Sequence, residues 1–136
     1  MEHDEQAVVR GLFAAFAARD VEAAVALVDP ESFVFEAPTA AMARGGEPYR
    51  GAEGLRAYFD DVDRVWTRVE LTPHEFIVDR PGRVIVLGRV WAQSHASAIR
   101  DSPTAWVFAL RAGRIVRATV YPSASAALTA LRGREA

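Results

Sequence analysis

The chain has 136 residues, 51% of them hydrophobic and 25% charged, with a formal net charge of -2 and no cysteine. Such values fit one ordinary soluble domain with a core that forms unaided; they exclude a disulfide framework, a thiolate nucleophile and a Cys-based zinc site. With no long block of one charge sign, a nucleic-acid partner is disfavoured. Every basic residue is arginine, which reads as a compositional bias more than as many guanidinium-specific tasks. Met1–Gln6 is acidic and the apolar residues after it are periodic, so the expectation is a cytoplasmic protein with no secretory leader and no membrane span.

Ala7 to Arg19 reads as a helix, with Val8, Leu12, Phe13 and Phe16 on one face. Asp20 ends it and caps a second helix, Val21 to Val28, which stops at Asp29-Pro30. Phe33, Val34 and Phe35 are strand-like up to Pro38. Thr39 to Arg50 loses periodicity and gains Gly45, Gly46 and Pro48; it reads as a mobile loop whose Met42 and Tyr49 are placed to fold over a cavity mouth. A third helix is expected from Ala52 to Trp66, burying Leu55, Tyr58, Phe59, Val62 and Trp66. Its acidic cluster, Asp60, Asp61 and Asp63, reads as an exposed face.

From there the pattern has period two. Val69–Val78 is a strand broken near Pro73, and Arg80-Pro81-Gly82 is a turn. Arg83–His95 and Ser102–Leu110 are strands, and Ala112-Gly113 turns the chain into Ile115–Tyr121. Ser123 to Leu131 is a short terminal helix capped by Ser123, followed by a polar tail. The fold class is α+β, one domain over residues 1–136, with no internal repeat.

Neither face of Arg83–His95 is a solvent face: Val84, Val86, Gly88, Val90 and Ala92 alternate with Ile85, Leu87, Arg89, Trp91, Gln93 and His95. Three helices cover one face of a curved sheet, not two. The bare apolar face therefore predicts a homodimer.

Element order and several motifs together resemble the SnoaL-like branch of the nuclear transport factor 2-like, ketosteroid isomerase-like superfamily. The motifs are AVVRGLFAAFAARDVEAAVALVDPE, YRGAEGLRAYFDDV, RVIVLGRVWAQ and WVFALRAGRIVRATVYPS, spanning Ala7–Leu131. The resemblance implies a conical, mainly antiparallel sheet around the helices, a ligand cavity in the cone and a dimer through the outer face. It leaves the chemistry open, because this superfold hosts enzymes, binding proteins and transport adaptors alike. Ketosteroid isomerases use an Asp base with an oxyanion hole of a Tyr and a protonated Asp. The matching positions carry Ala37, Leu12 and Ala105, so the resemblance implies no isomerisation by that set. Limonene-epoxide hydrolases use an Asp-Arg-Asp set; Arg89 matches its Arg, while Trp91 and Val120 replace the carboxylates.

Few polar groups remain for chemistry. Glu36, beside the vacated base position, is either a desolvated acid or base or a rim group turned away from the cavity that Ala37 faces. Arg89 lies mid-strand between apolar neighbours and needs a partner. On the isomerase alignment Val86, Gly88 and Val90 point into the cone and Arg89 lies on the dimer face; on the hydrolase alignment Arg89, Trp91 and Gln93 point inward. His95 and Asp101 flank a loop expected to cross the cone's mouth, either as a proton-transfer pair or as solvated side chains. Tyr58 offers a hydroxyl to a ligand carbonyl. The candidate catalytic residues are thus Glu36, Tyr58, Arg89 and His95, and the candidate ligand contacts are Phe16, Phe35, Phe59, Trp66, Trp91 and Asp101. Helical aromatics around small residues Ala37, Ala105 and Ala118 suggest a π-rich cavity for a small hydrophobic molecule. The histidines show no ligand spacing, so neither a metal nor another cofactor is expected. The two functions that follow are a binder of a hydrophobic metabolite, extending to a cofactor-independent isomerase, cyclase or hydratase, and a non-catalytic dimeric interaction module.

Overall fold

A computed structural model describes the backbone of residues 2–135 and the side chains of residues 4–133. In chain order it contains helices α1 (Glu2–Ala18) and α2 (Val21–Val25), strand β1 (Val34–Glu36), helix α3 (Pro38–Ala43), the two-residue strand β2 (Tyr49–Arg50) and helix α4 (Gly51–Val65). Strands β3 (Trp66–Arg80), β4 (Arg83–Ser94), β5 (Ile99–Arg111) and β6 (Arg114–Tyr121) follow, then helix α5 (Ala124–Glu135). The six strands form one sheet in the order β2-β1-β6-β5-β4-β3, antiparallel except for the β1–β6 pair. The fold is therefore the expected α+β sheet wrapped around helices. No helix among the described residues is long and apolar enough to cross a membrane.

Local chemistry accounts for the element ends. Asp20 accepts a hydrogen bond from the Ala23 amide at 3.1 Å and starts α2. Ser123 does the same for α5, accepting from the Ala126 amide at 3.0 Å. The Thr39–Arg50 segment, expected as a mobile loop, instead contains α3 and β2. Pro38 sits at the start of α3, where its missing N–H costs nothing. Tyr49 pairs with Phe35 and is fully buried, so it lies in the core and not over a cavity mouth. Met42 is exposed.

Pro73 and Gly88 give the sheet its bend. They face each other across β3 and β4, and the register slips between Pro73 and Glu75. The strand break expected at Pro73 is thus a bulge inside one continuous strand. The backbones approach so closely that a Cβ on Gly88 would lie 2.2 Å from the Thr72 carbonyl oxygen. Only glycine fits there.

The bend separates two faces. The concave face carries Val84 and Val86 of β4 with Trp106 and Phe108 of β5, packed on Val9 and Phe16 of α1 and on Leu55, Phe59 and Val62 of α4. The convex face carries Ile85, Ala105 and Val107 against Ala127 and Leu131 of α5. The expectation of an uncovered apolar outer face is corrected here, because the terminal helix folds back over part of it. The strand register resolves the ambiguity at Arg89: Val86, Val90 and Ala92 face inward, whereas Arg89 and Trp91 face outward.

Candidate functional site

The concave sheet and the helices enclose a chamber of about 180 Å³. Its walls are largely apolar, formed by Val62 of α4, Trp66, Val69 and Leu71 of β3, Val90 and Ala92 of β4, Trp106 of β5 and Val120 of β6. A smaller void of about 50 Å³ lies among Leu12, Phe13, Phe16, Phe33, Phe35, Phe59 and Phe108. Tyr58, Leu71 and Trp106 line both. Interior dispersion contacts bind apolar atoms, but a void lacks them on one side, so its lining gains when a ligand fills it.

Tyr58 reaches this space because it shares the inward stripe of α4 with Leu55, Phe59 and Val62. Its ring is clamped edge-on by Phe35 at 4.7 Å and Tyr49 at 5.3 Å between centroids. Its hydroxyl has no hydrogen-bond partner among the described residues. Burial pushes its pKa well above the ordinary tyrosine value. The group is therefore a neutral hydrogen-bond donor with no protein acceptor among the described residues.

The remaining polar lining is sparse. Trp66 Nε1 donates to Thr39 Oγ1 at 3.2 Å, tying the indole to α3. Thr104 Oγ1 donates to the Ser102 carbonyl at 3.3 Å. Arg100, which is exposed, and the half-buried Tyr121 complete the polar lining. Among the described residues, no carboxylate and no imidazole lines the chamber. No cluster of three or more metal-ligating side chains occurs among the described residues.

Of the four candidate catalytic residues, Tyr58 alone lines the cavity. Glu36 alternates outward and pairs with Arg117, both about two-fifths exposed, which is the rim contact weighed for it above. Arg89 pairs with Asp101 on the convex face at 3.1 Å, with both side chains about half exposed, so the pair contributes little. His95 sits on the β4–β5 hairpin with Nε2 3.5 Å from the Asp63 carbonyl oxygen. It faces no Asp101 carboxylate, and the loop expected to cross the mouth is a tight turn, because β5 begins at Ile99. Among the candidate ligand contacts, Phe16, Phe35 and Phe59 line the smaller void and Trp66 the main chamber. Trp91 and Asp101 do not reach either one: the Trp91 ring lies 5.5 Å from the Arg68 guanidinium. Ala105, expected among the small residues of the cavity, is buried under α5 instead.

Sequence reasoning missed Arg100, Ser102 and Thr104. Period-two counting back from Trp106 along β5 reaches all three; β5 begins at Ile99, three residues before the expected Ser102, and so includes Arg100. It also misread Asp61, which is 3% exposed and not part of a solvent face. Tyr49 Oη donates to Asp61 Oδ2 at 2.9 Å, Arg64 bonds Oδ1, and Arg44 Nε lies 3.3 Å away as an ion contact without hydrogen-bond geometry. Burial alone would raise the Asp61 pKa; Arg64, the Tyr49 hydroxyl and Arg44 outweigh it and hold the carboxyl below its ordinary value. This knot fastens α3, and with it Pro38 and Thr39 of the cavity wall, to α4.

Residues 9–118 match the SnoaL-like domain family. The chain belongs to the SnoaL-like family. No curated protein matches it. Among solved structures it is similar to a nuclear transport factor 2-like protein of unknown function from Burkholderia pseudomallei, at 20% identity over 93% of this chain and 95% of that one, with a TM-score of 0.78. It is also similar to TerC, crystallised with polyporic acid, at 21% identity over 94% and 97% of the two chains and a TM-score of 0.78. A Mycobacterium tuberculosis protein in complex with estradiol-17beta-hemisuccinate is 17% identical over 90% and 96%, with a TM-score of 0.72. These likenesses establish the shared fold. Within the SnoaL-like chain, Leu12 and Ala37 line the interior, as the isomerase comparison implied, whereas Ala105 lies on the opposite side of the sheet.

Proposed function

We propose that this SnoaL-like protein binds a small, largely apolar organic molecule in the chamber, with the Tyr58 hydroxyl donating to a carbonyl or similar acceptor on it. The observation that carries the reading is the unpaired Tyr58 hydroxyl in a wall that is otherwise almost wholly apolar. The chamber is slightly larger than a cavity of about 150 Å³ that holds benzene, so its occupant is a compact molecule of one ring or similar bulk. Relatives crystallised with small organic molecules support the reading.

Thermal-shift screening of small aromatic and terpenoid carbonyl compounds tests it. A ligand that raises the melting temperature should lose about five- to tenfold in affinity in Tyr58→Phe, the worth of one neutral hydrogen bond. The fold of that variant should be unaffected, since the lost hydroxyl bonds nothing in the protein. A screen in which no compound stabilises the protein rejects the reading.

A second reading, a cofactor-independent isomerase, cyclase or hydratase, draws on the same hydroxyl. Held protonated, Tyr58 can polarise a carbonyl. Among the described residues the lining supplies no carboxylate or imidazole as base, so the proton acceptor would be water or the substrate. A bound ligand recovered unchanged after prolonged incubation favours the binding reading.

We also propose that the protein is a homodimer through the part of the convex face that α5 leaves free, where Leu87 and Trp91 are half-buried beside Arg89. Removing such apolar surface from water favours association. Sedimentation velocity is expected to give a dimer that Trp91→Glu converts to monomer. A stable wild-type monomer at micromolar concentration would overturn this.

A further inference from the structure

We infer that the ligand carries an acidic group, a carboxylate, bound at the cavity mouth by Arg100. The inference rests on the reading of the chamber as a ligand site and names the class of molecule it takes.

Strand β5 places Arg100, Ser102, Thr104 and Trp106 along the cavity wall at two-residue spacing, opposite Ala92, Val90, Gly88 and Val86 of β4. Over this run of about 20 Å the wall changes character. Arg100 is exposed and Ser102 half-buried, while Thr104 and Trp106 are 7% and 5% exposed. The wall therefore grades from a cation at the mouth, through two hydroxyls, to an apolar floor. A molecule with a charged end and an apolar body matches that gradient.

The state of Arg100 singles it out. Other guanidiniums near the site each face a carboxylate: Arg44 and Arg64 face Asp61, Arg89 faces Asp101 and Arg117 faces Glu36. Arg100 has neither an ion pair nor a hydrogen bond among the described residues. Its chain neighbour Asp101 is no help, because strand alternation sends that carboxylate to the convex face and to Arg89. Among the described residues, no carboxylate in the lining repels an incoming anion. A guanidinium at a half-open mouth stays hydrated while the site is empty. It then offers paired N–H donors in the geometry a carboxylate accepts.

The test is a titration with benzoate, cinnamate and 3-phenylpropanoate, each beside its primary amide, which has nearly the same shape and no charge. Tryptophan fluorescence reports binding, because Trp66 and Trp106 line the chamber. At least one acid should bind about tenfold or more tightly than its amide, the advantage of a charge-assisted hydrogen bond. That preference should shrink at high salt. Arg100→Gln should abolish the preference by weakening the acid far more than the amide, and Arg100→Lys should keep part of it. Circular dichroism checks that both variants fold, as expected for an exposed, unpaired side chain. Equal binding of acid and amide, or a preference that survives in Arg100→Gln, overturns the acidic-group inference and leaves the cavity reading standing. If no acid and no amide binds, the cavity reading falls and this inference falls with it.

Discussion

Replacing Asp61 by alanine is expected to cost about 2–3 kcal/mol and to lower the melting temperature by about 8–12 °C, as read by calorimetry or circular dichroism. The carboxylate is nearly inaccessible, yet it joins Tyr49, Arg64 and Arg44. Its removal leaves the Tyr49 hydroxyl buried without an acceptor and takes away the anion that both guanidiniums face. The effect falls short of the largest losses for broken buried pairs, because Arg44 and Arg64 are 32% and 69% exposed and can recover water. Tyr49→Phe should cost about 1 kcal/mol alone and almost nothing on top of Asp61→Ala, since the two side chains share one interaction.

The same carboxylate gives a signed pH dependence. Its folded pKa is lowered, so the stability it contributes is complete above the unfolded carboxylate value of about 3.9 and is lost as pH falls through the lower, folded value. The stability gap between wild type and Asp61→Asn should therefore be constant from neutral pH to about pH 5 and close below about pH 4. A gap that widened on acidification would contradict the assignment. Because α3 supplies Pro38 and Thr39 to the chamber, ligand affinity should weaken in Asp61→Asn even though Asp61 does not line the cavity.

Gly88→Ala is expected to be at least as damaging, at about 3 kcal/mol or more, with much of the protein recovered as aggregate. A single methyl group there meets the Thr72 carbonyl oxygen at 2.2 Å and the Pro73 Cα at 2.9 Å. Both neighbours are backbone, so no side-chain rotation relieves the contact. The strands must separate at the bulge that bends the sheet, which would flatten the wall made by Val69, Leu71, Val90 and Ala92. Gly133→Ala serves as the control: a Cβ there meets nothing within 4 Å, and alanine is the better helix former, so stability should hold or rise slightly. Equal tolerance of the two substitutions would show that the β3–β4 approach is not what shapes the sheet.

How much of this was legible follows the range of the interactions. Asp20, Ser123 and Pro73 act within a turn or a strand pair, and their effects could be read from neighbouring residues. The stripe of α4 that buries Tyr58 follows from helical periodicity alone. The Thr39–Arg50 segment was misread because its order is tertiary: a six-residue helix and a two-residue strand carry no periodic signal. They persist because Tyr49 is buried and Asp61, twelve residues on, holds it. Asp61 was misread for the same reason, since an acidic residue in an acidic run looks solvated until its partners are known. At Glu36 and Arg89 alternation offered two faces, and each choice had an apolar and a polar outcome.

The sequence by itself determined the element order, the α+β class, the inward aromatic stripe and the scarcity of groups able to do chemistry, because these depend on spacing and residue type. Only the tertiary structure decided which face of β4 and β5 lines the cavity. A shift of one residue in strand register exchanges every side chain between core and outer face, and the register here is set by the Pro73–Gly88 bulge and by α5 covering the convex side. That decision removed Arg89, Trp91 and Asp101 from the chamber and brought Arg100, Ser102 and Thr104 into it.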